Sequence, residues 1–244
     1  MSRKSPSALR DPTAVGAGEM KKSTATRRRI MEAAVHCLAH EGYAGTNTGA
    51  VAEQANMLRS ALLYHFPTRL ALLEAVIHFV TRERIALFEQ ALDSIADEPG
   101  RLSRAIDLAW AQNHTIEYRA FGELANAART DPELAAIFAP AMDEYDRARR
   151  ASAMTLFSAA EQAAPGFHLR RDITRFLLDG VASYGWISED ADARIAMMVE
   201  FLKALAIEPE GSALLRKTVA RAARSATKSV AQNTVKPARR RSKK

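Results

Sequence analysis

Apolar residues recur along almost the whole chain at the spacing of an α-helix, and no stretch alternates like a β-strand. Near the N-terminus, five small or apolar positions between Ile30 and Leu38 follow the pattern i, i+3, i+4, i+7, i+8. These positions share one helical face, so the pattern predicts a helix from about Thr24 to His40. Gly42 can supply the left-handed conformation that ends such a helix.

A motif of two short helices is predicted between Thr46 and Arg69. Asn56 is the expected turn residue, because asparagine tolerates the left-handed conformation. The second helix is predicted from Leu58 to Phe66, and Pro67 stops it. A helix-turn-helix of this size presents the N-terminal end of its second helix to the major groove of DNA.

A longer helix is predicted from Thr68, its expected N-cap, to about Ile95, with a polar second half that fits a connector to a second domain. The helical pattern continues from Arg101 to about Ile207, and one helix with Asp131 as its N-cap could run to Glu161. The predicted fold class is therefore all-α, with a small three-helix domain joined to a larger helical domain. The predicted divisions are a basic disordered arm at 1–23, the small domain at 24–82, the larger domain at 99–208 and a basic low-complexity tail at 209–244.

Composition is that of a soluble globular protein, with 244 residues of which 48% are hydrophobic and 26% charged. No apolar run approaches the roughly 20 residues that cross a bilayer, so no membrane association is expected. The single cysteine, Cys37, excludes an intrachain disulfide and favours a reducing cytoplasm. It falls on the apolar face of the first helix and is expected to be buried.

The sequence contains no Gly-rich phosphate loop, no nucleophile elbow and no recognisable frame of paired carboxylates. His36 and His40 share a helical face, but no third ligand lies nearby, so they are interpreted as ordinary helix residues rather than a metal site. We therefore expect no enzyme activity, no cofactor and no metal.

The formal net charge of +7 is concentrated at the two ends of the chain. Residues 1–29 hold eight basic and two acidic side chains, and residues 211–244 hold eleven basic side chains and no acidic one. The body between them is therefore acidic. The two basic ends are therefore expected to attract a polyanion such as DNA. The tail is either a nonspecific DNA clamp or a solubilising segment.

Several segments resemble the TetR family of bacterial transcriptional regulators. They are Thr26-Arg-Arg-Arg-Ile-Met-Glu-Ala-Ala34, Glu41-Gly-Tyr43, Thr46 through Val51-Ala-Glu-Gln-Ala55, Leu62-Leu-Tyr-His-Phe-Pro-Thr-Arg69 and Ala71-Leu-Leu-Glu-Ala75. The match covers residues 24–80, and beyond Arg82 the resemblance is only architectural. It implies a helix-turn-helix DNA-binding domain joined to a helical ligand-binding and dimerisation domain.

The resemblance also implies a homodimeric repressor on a palindromic operator of double-stranded DNA, released by a small-molecule effector. The residues it assigns to phosphate contacts are Thr48, Tyr64, His65 and Arg69, and those it assigns to the groove are Arg59, Ser60, Ala61 and Leu63. Thr46 belongs to the same expected DNA-binding set. Arg59 could contact a base or a phosphate, and Leu63 could touch a thymine methyl or belong to the core.

Residues 30–69 hold only two cations, Arg59 and Arg69, against three glutamates. Such a segment has almost no net positive field for DNA. Arg27 and Arg28, together with their basic neighbours in the arm, are therefore predicted to supply much of the phosphate affinity.

An aromatic set with a few polar tips spans three successive helices of the second domain. Its members are Trp110, Asn113, His114, Tyr118, Phe121, Phe138, Met142 and Tyr145. From the residues alone it is either an ordinary core or an effector pocket, and the resemblance favours a pocket for a hydrophobic or aromatic molecule.

The last two helices of the second domain are expected to pair with those of a second chain as a four-helix interface. The expected interface residues are Phe176, Gly180, Tyr184, Met198 and Leu202. Intrachain packing is the alternative for these residues. At the level of function, a constitutive DNA-coating or architectural protein is the alternative to a nucleoid-associated regulator. The basic tail supports this alternative, although coating does not require a large helical domain.

Overall fold

The computed structural model describes residues 10–13, 21–95, 100–163, 166–184 and 191–207, and within these ranges every regular element is an α-helix. The helices are α1 (Lys21–Gly45), α2 (Thr48–Gln54), α3 (Arg59–His65), α4 (Arg69–Asp93), α5 (Arg101–Gln112), α6 (Ile116–Ala128), α7 (Pro132–Met154), α8 (Ala159–Ala163), α9 (Phe167–Tyr184) and α10 (Ala191–Ile207). The all-α prediction is confirmed. The predicted basic tail lies outside the described residues. No helix in the described part of the chain is long and apolar enough to span a bilayer.

Helix α1 begins three residues before the predicted Thr24 and runs past the predicted end at His40. It continues to Gly45 across a kink at Gly42, where the backbone has φ 73° and ψ 179°. A positive φ is readily adopted only by glycine, so Gly42 turns the chain without interrupting the packing on either side. Cys37 is fully buried on this helix, as predicted, and burial raises the pKa of its thiol to about 11.

The two short helices are held by local hydrogen bonds. The side chain of Asn47 accepts from the backbone N–H groups of Gly49 and Ala50, which caps α2. Asn56 has φ 49°, which confirms it as the left-handed turn residue between α2 and α3. The hydroxyl of Thr68 accepts from Ala71 N–H and caps α4, also as predicted.

One apolar core joins α1 to α4 and extends into the second domain. Leu62 of α3 and Leu72 of α4 are fully buried in it, and so are Leu124 of α6 and Leu134 of α7. The small domain is therefore supported directly by α6 and α7, in keeping with the limited core that three short helices can bury alone.

Helix α7 ends at Met154 rather than at Glu161, the predicted limit. Ser158 and Glu161 explain the break, because Ser158 Oγ accepts from Glu161 N–H (3.2 Å) and Glu161 Oε2 accepts from Ser158 N–H (2.8 Å). This reciprocal capping box starts the separate short helix α8.

Part of the predicted disordered arm is docked on the body of the protein. Arg10 pairs with Glu74 (2.9 Å) and Asp11 pairs with Arg82 (2.6 Å), both on α4. Pro12 is buried, and its carbonyl accepts from Arg27 Nη1 (3.4 Å). These contacts along α4 hold residues 10–13 against the helix, so the prediction of disorder was wrong for this segment.

Replacement of Leu62 by alanine is expected to lower the free energy of unfolding by about 2–5 kcal/mol, because it opens a cavity at a fully buried position of α3. Leu58→Ala is the control from the same motif: Leu58 is 77% exposed, so its loss should change stability by about 0.5 kcal/mol or less. Urea unfolding of both variants measures the difference. Equal effects would contradict the assignment of Leu62 to the core.

Candidate nucleic-acid interface

Helix α3 presents one face to solvent and anchors the other through a single side chain. Leu62 is fully buried, whereas Arg59, Ser60 and Ala61 are exposed. Tyr64 is 82% exposed and lies on the same outer face. At 100° per residue these exposed positions centre on the direction opposite Leu62. The face that could enter a DNA groove is therefore set by one buried leucine.

The side chain of Arg59 is oriented by the neighbouring helix. Its Nε donates to Thr48 Oγ1 (3.2 Å), and Thr48 is itself buried at the start of α2. This contact joins two residues that the sequence assigned separately to the groove and to the phosphates. Leu63 and His65 are half-buried on either side of Leu62, and the ring of His65 meets Tyr64 edge-on at 5.3 Å between centroids.

Arg69 and Thr46 are engaged inside the protein in this structure. Arg69 donates from Nε to the carbonyl of Thr46 (2.8 Å) and from Nη2 to the carbonyl of Tyr43 (2.7 Å). Its guanidinium also lies 4.3 Å from the centroid of the Tyr43 ring. Thr46 is buried, and its hydroxyl donates to the carbonyl of Gly42 (2.8 Å). Their predicted role in DNA contact stays a prediction, while their observed role is to fix the start of α2 against α4.

The basic residues of α1 have different environments. Arg27 is half-buried, with its guanidinium 5.4 Å from the centroid of the Phe66 ring. Arg28 is exposed and pairs with Glu32 (2.9 Å) and with Glu83 (3.8 Å). Arg29 is exposed on the same helix. Exposed pairs of this kind are weak, so Arg28 and Arg29 can turn to a phosphate at little cost.

Tyr43 connects this DNA-binding unit to the second domain. Its hydroxyl donates to Asp131 Oδ2 (2.6 Å), and Asp131 is the N-cap of α7. Its backbone N–H points to Glu123 of α6 (3.4 Å). The hydrogen bond from Tyr43 is the largest reason that the pKa of Asp131 lies below its usual value, and the N–H of Leu134 lowers it further. Since Arg69 binds Tyr43 from the other side, α4 and α7 meet at one tyrosine.

The predicted aromatic set lies in two packed groups rather than around a cavity. Asn113 and Tyr118 bind Asp179 of α9 through hydrogen bonds of 3.3 and 2.9 Å, while Trp110 meets His114 edge-on. The second group closes around Arg84 of α4. The guanidinium of this buried arginine lies between 4.4 and 5.1 Å from the centroids of three rings, which are those of Tyr118, Phe121 and Tyr145. Phe138 contacts Phe121, and Met142 packs beside Tyr145.

A cavity of about 240 Å³ lies elsewhere in the second domain. Its walls come from α5, α7, α8 and α9, together with Phe88 near the end of α4. None of the eight predicted pocket residues lines it. The prediction selected aromatic residues, but the side chain of Arg84 and mutual ring contacts fill the space between them. The cavity instead carries arginines from α7 and α9, which are not among the residues predicted from the sequence.

The predicted dimer residues divide between surface and core. Phe176 is 66% exposed and Met198 is 40% exposed, as an interface requires. Leu202 is 1% exposed in an intrachain cluster with Ile106 and Leu178, so its assignment to the interface is corrected to the core. Gly180 is half-buried, with no atom within 4 Å of the position a Cβ would take. The side chain of Tyr184 lies outside the described residues.

Replacement of Tyr43 by phenylalanine should lower the free energy of unfolding more at pH 7 than at pH 3. The folded pKa of Asp131 is below the unfolded value of about 3.9, so the ionised carboxylate stabilises the fold above that pH. This stabilisation disappears as the pH falls through the folded pKa, and the difference between variant and wild type should shrink with it.

Urea unfolding at the two pH values measures this effect. Tyr64→Phe is the control, because Tyr64 is exposed on α3 and makes no contact with Asp131. A deficit for Tyr43→Phe that is the same at pH 7 and pH 3 would contradict the role given to the Asp131 carboxylate.

Residues 30–76 match the family model for bacterial regulatory proteins of the tetR family. No curated protein matches the sequence. Solved structures with this fold include one described as a transcriptional regulator from Saccharomonospora viridis in complex with choline. That protein is 20% identical, with a TM-score of 0.60 over 77% of this chain and 97% of the other.

Two further structures are similar in fold. A TetR-family transcriptional regulator from Rhodococcus sp. is 19% identical, with a TM-score of 0.53 over 73% of this chain and 99% of the other. The fatty acid degradation regulator FadR from Bacillus halodurans is 16% identical, with a TM-score of 0.53 over 75% of this chain and 95% of the other. Identities this low show a shared fold and no more. The residue-level match lies in the helix-turn-helix, where residues 30–76 are similar to the bacterial regulatory proteins of the tetR family.

Proposed function

We propose that this protein is a homodimeric repressor that binds a palindromic DNA operator and is released from it by a small molecule. The observation that carries the proposal is the outward face of α3. There Arg59, Ser60 and Tyr64 are exposed opposite the buried Leu62, in a domain that matches the family of regulators. The protein acts on the nucleoid in the cytoplasm and has no catalytic role.

In this proposal, α3 enters the major groove and Arg59 contacts a base or an adjacent phosphate. Tyr64 reaches the sugar-phosphate backbone from the same face. Because the helix-turn-helix itself has little positive charge, Arg28 and Arg29 at the start of α1 supply additional phosphate contacts. The basic tail adds sequence-independent attraction to DNA.

Dimerisation is supported by an apolar surface on α9 and α10. Leu169, Ile173 and Phe176 lie at i, i+4 and i+7 on one face of α9, and all three are exposed. Met197, Met198 and Phe201 are exposed on α10. Several large exposed apolar side chains on neighbouring helices are typical of an interaction site. A second copy of the chain is the occupant that brings two α3 helices onto one operator.

Effector release is supported by the two helices that line the cavity and reach the DNA-binding domain. Phe88 of α4 and Arg149 of α7 line the cavity. The N-terminal ends of the same two helices are joined by Tyr43, through Arg69 and Asp131. The stretch of α4 from Arg69 to Phe88 is about 28 Å long at the usual helical rise. A ligand that displaces α7 relative to α4 would therefore change the position of α2 and α3.

A constitutive DNA-coating protein is the second candidate, favoured by the eleven basic residues of the tail. Selection of bound sequences from random DNA separates the two candidates. A regulator selects a short palindrome, whereas a coating protein selects no common sequence.

Replacement of Arg59 by alanine should weaken binding to the selected palindrome by about 1–3 kcal/mol, because it removes the one long cation on the exposed face of α3. Arg129→Ala is the matched control, since Arg129 is an exposed cation at the end of α6 in the other domain. Fluorescence anisotropy with labelled operator measures both. Equal losses of operator affinity in the two variants would show that binding depends on the net charge of the protein and not on the exposed face of α3.

A double substitution Phe176→Glu, Phe201→Glu should convert the dimer to a monomer, because it places charge in the centre of the apolar surface of α9 and α10. Sedimentation equilibrium should report twice the 26.8 kDa chain mass for wild type and the single chain mass for the variant. The control Leu58→Glu changes an exposed leucine outside this surface and should remain dimeric. Wild-type protein that sediments as a monomer would contradict the homodimer.

A further inference from the structure

The cavity of the second domain combines an apolar interior with an excess of positive charge. Phe88, Ile106 and Phe157 are among the apolar side chains on its walls. Among the residues that the structure describes, five arginines also line it, and Glu161 is the one acidic side chain that does so. The arginines are Arg149, Arg150, Arg170, Arg171 and Arg175. All of them except the exposed Arg150 are half-buried. A site built only to enclose a hydrocarbon does not need these cations, because even partial burial of a charge carries a desolvation penalty.

Two of these arginines form ion pairs with aspartates. Arg171 donates twice to Asp172, with the shorter contact at 2.5 Å, and Arg175 pairs with Asp146 at 2.5 Å. Glu161 is already bound by Arg101 and by Ser158. Within the described part of the chain, no ion pair is formed by Arg149, Arg150 or Arg170. The lining is therefore positive even after its internal pairs are formed.

Three of the arginines also hold N–H groups that are buried without a hydrogen-bond acceptor. These groups are Nη1 of Arg149, Nη1 of Arg171 and Nε of Arg175, and the last lies 3.6 Å from the carboxylate of Asp179. A buried donor with no partner is costly, and a guanidinium donor is satisfied best by a carboxylate, which accepts two parallel hydrogen bonds. The guanidinium of Arg149 lies 5.2 Å from the centroid of the Phe88 ring, so its position is fixed next to an apolar wall.

We propose that the cavity binds a small organic acid with an apolar body, whose carboxylate accepts hydrogen bonds from Arg149 and Arg171. The apolar body lies against Phe88 and the edge-to-face pair of Phe157 and Phe167. The volume equals that of about eight water molecules, which suits a body of roughly eight to ten non-hydrogen atoms. This inference rests on the proposed function for its role as effector. It refines the expected hydrophobic or aromatic effector to an anion.

Isothermal titration of the full-length protein without DNA tests the ligand class directly. The probes are octanoate and 3-phenylpropanoate, each compared with the alcohol of the same skeleton and with octylammonium. At least one acid should bind 10- to 100-fold more tightly than its alcohol, the range expected for hydrogen bonds to a charged group. Octylammonium should show no measurable binding. Equal affinity of acid and alcohol, or no binding by either acid, overturns the proposal.

Arg149→Gln should reduce the affinity for the acid to about that of the alcohol, while Arg149→Lys should retain part of it because the charge remains. Arg129→Gln, which removes an exposed cation that does not line the cavity, should leave the affinity unchanged. Thermal melts show whether each variant is folded. The comparison of acid with alcohol on wild-type protein tests the proposal even if Arg149→Gln does not fold. A loss of affinity as large in Arg129→Gln as in Arg149→Gln overturns it.

Operator binding with and without the acid separates this inference from the proposed function. Acid binding that leaves operator affinity unchanged would support the ligand class and contradict effector release. If the protein binds the operator but neither acid, the DNA-binding function is retained and the proposed ligand class is overturned.

Discussion

The structure depends on one helix that contributes to two cores. The first half of α4 buries Leu72 and Val76 against the helix-turn-helix, and its second half buries Ile85 and Phe88 in the second domain. Arg84 lies between them, enclosed by aromatic rings from α6 and α7. A helix without a break transmits translation and rotation along its length, so the two domains cannot move independently at this connection. The position of α3 is consequently tied to how α4 packs on α6 and α7.

Two half-buried arginines of the DNA-binding domain make contacts within the protein. Arg69 holds two carbonyl groups and a tyrosine ring, and Arg27 packs on Phe66, so neither offers DNA a fully solvated cation. In the proposed function, recognition therefore falls to Arg59 and to exposed cations of α1. Such a surface would read DNA chiefly through shape and a few oriented contacts, and the basic chain ends would supply long-range attraction.

The sequence was sufficient for the features that local chemistry decides. Asn56 takes the left-handed backbone conformation of a turn, and the side chains of Thr68 and Asp131 cap helices two or three positions away, all as predicted. Ser158 and Glu161 also have the spacing of a capping box, but the apolar pattern around them favours one longer helix. The cavity could not be located, because it depends on which of many similar helical faces meet. The position of Arg84 among the aromatic rings and the burial of Leu202 also depend on contacts between residues that are far apart in the sequence.

The N-terminus of α3 has a further consequence for how the protein works. Leu58 is its N-cap residue and provides no side-chain hydrogen bond to the first turn, and the helix has only seven residues. Such a helix is marginal by itself and is ordered here by the burial of Leu62. We therefore expect local opening of α3 to require less free energy than opening of the longer helices α1 and α4, which bury more residues. In the proposed function, such opening would remove the surface that reads DNA while the longer helices stay folded.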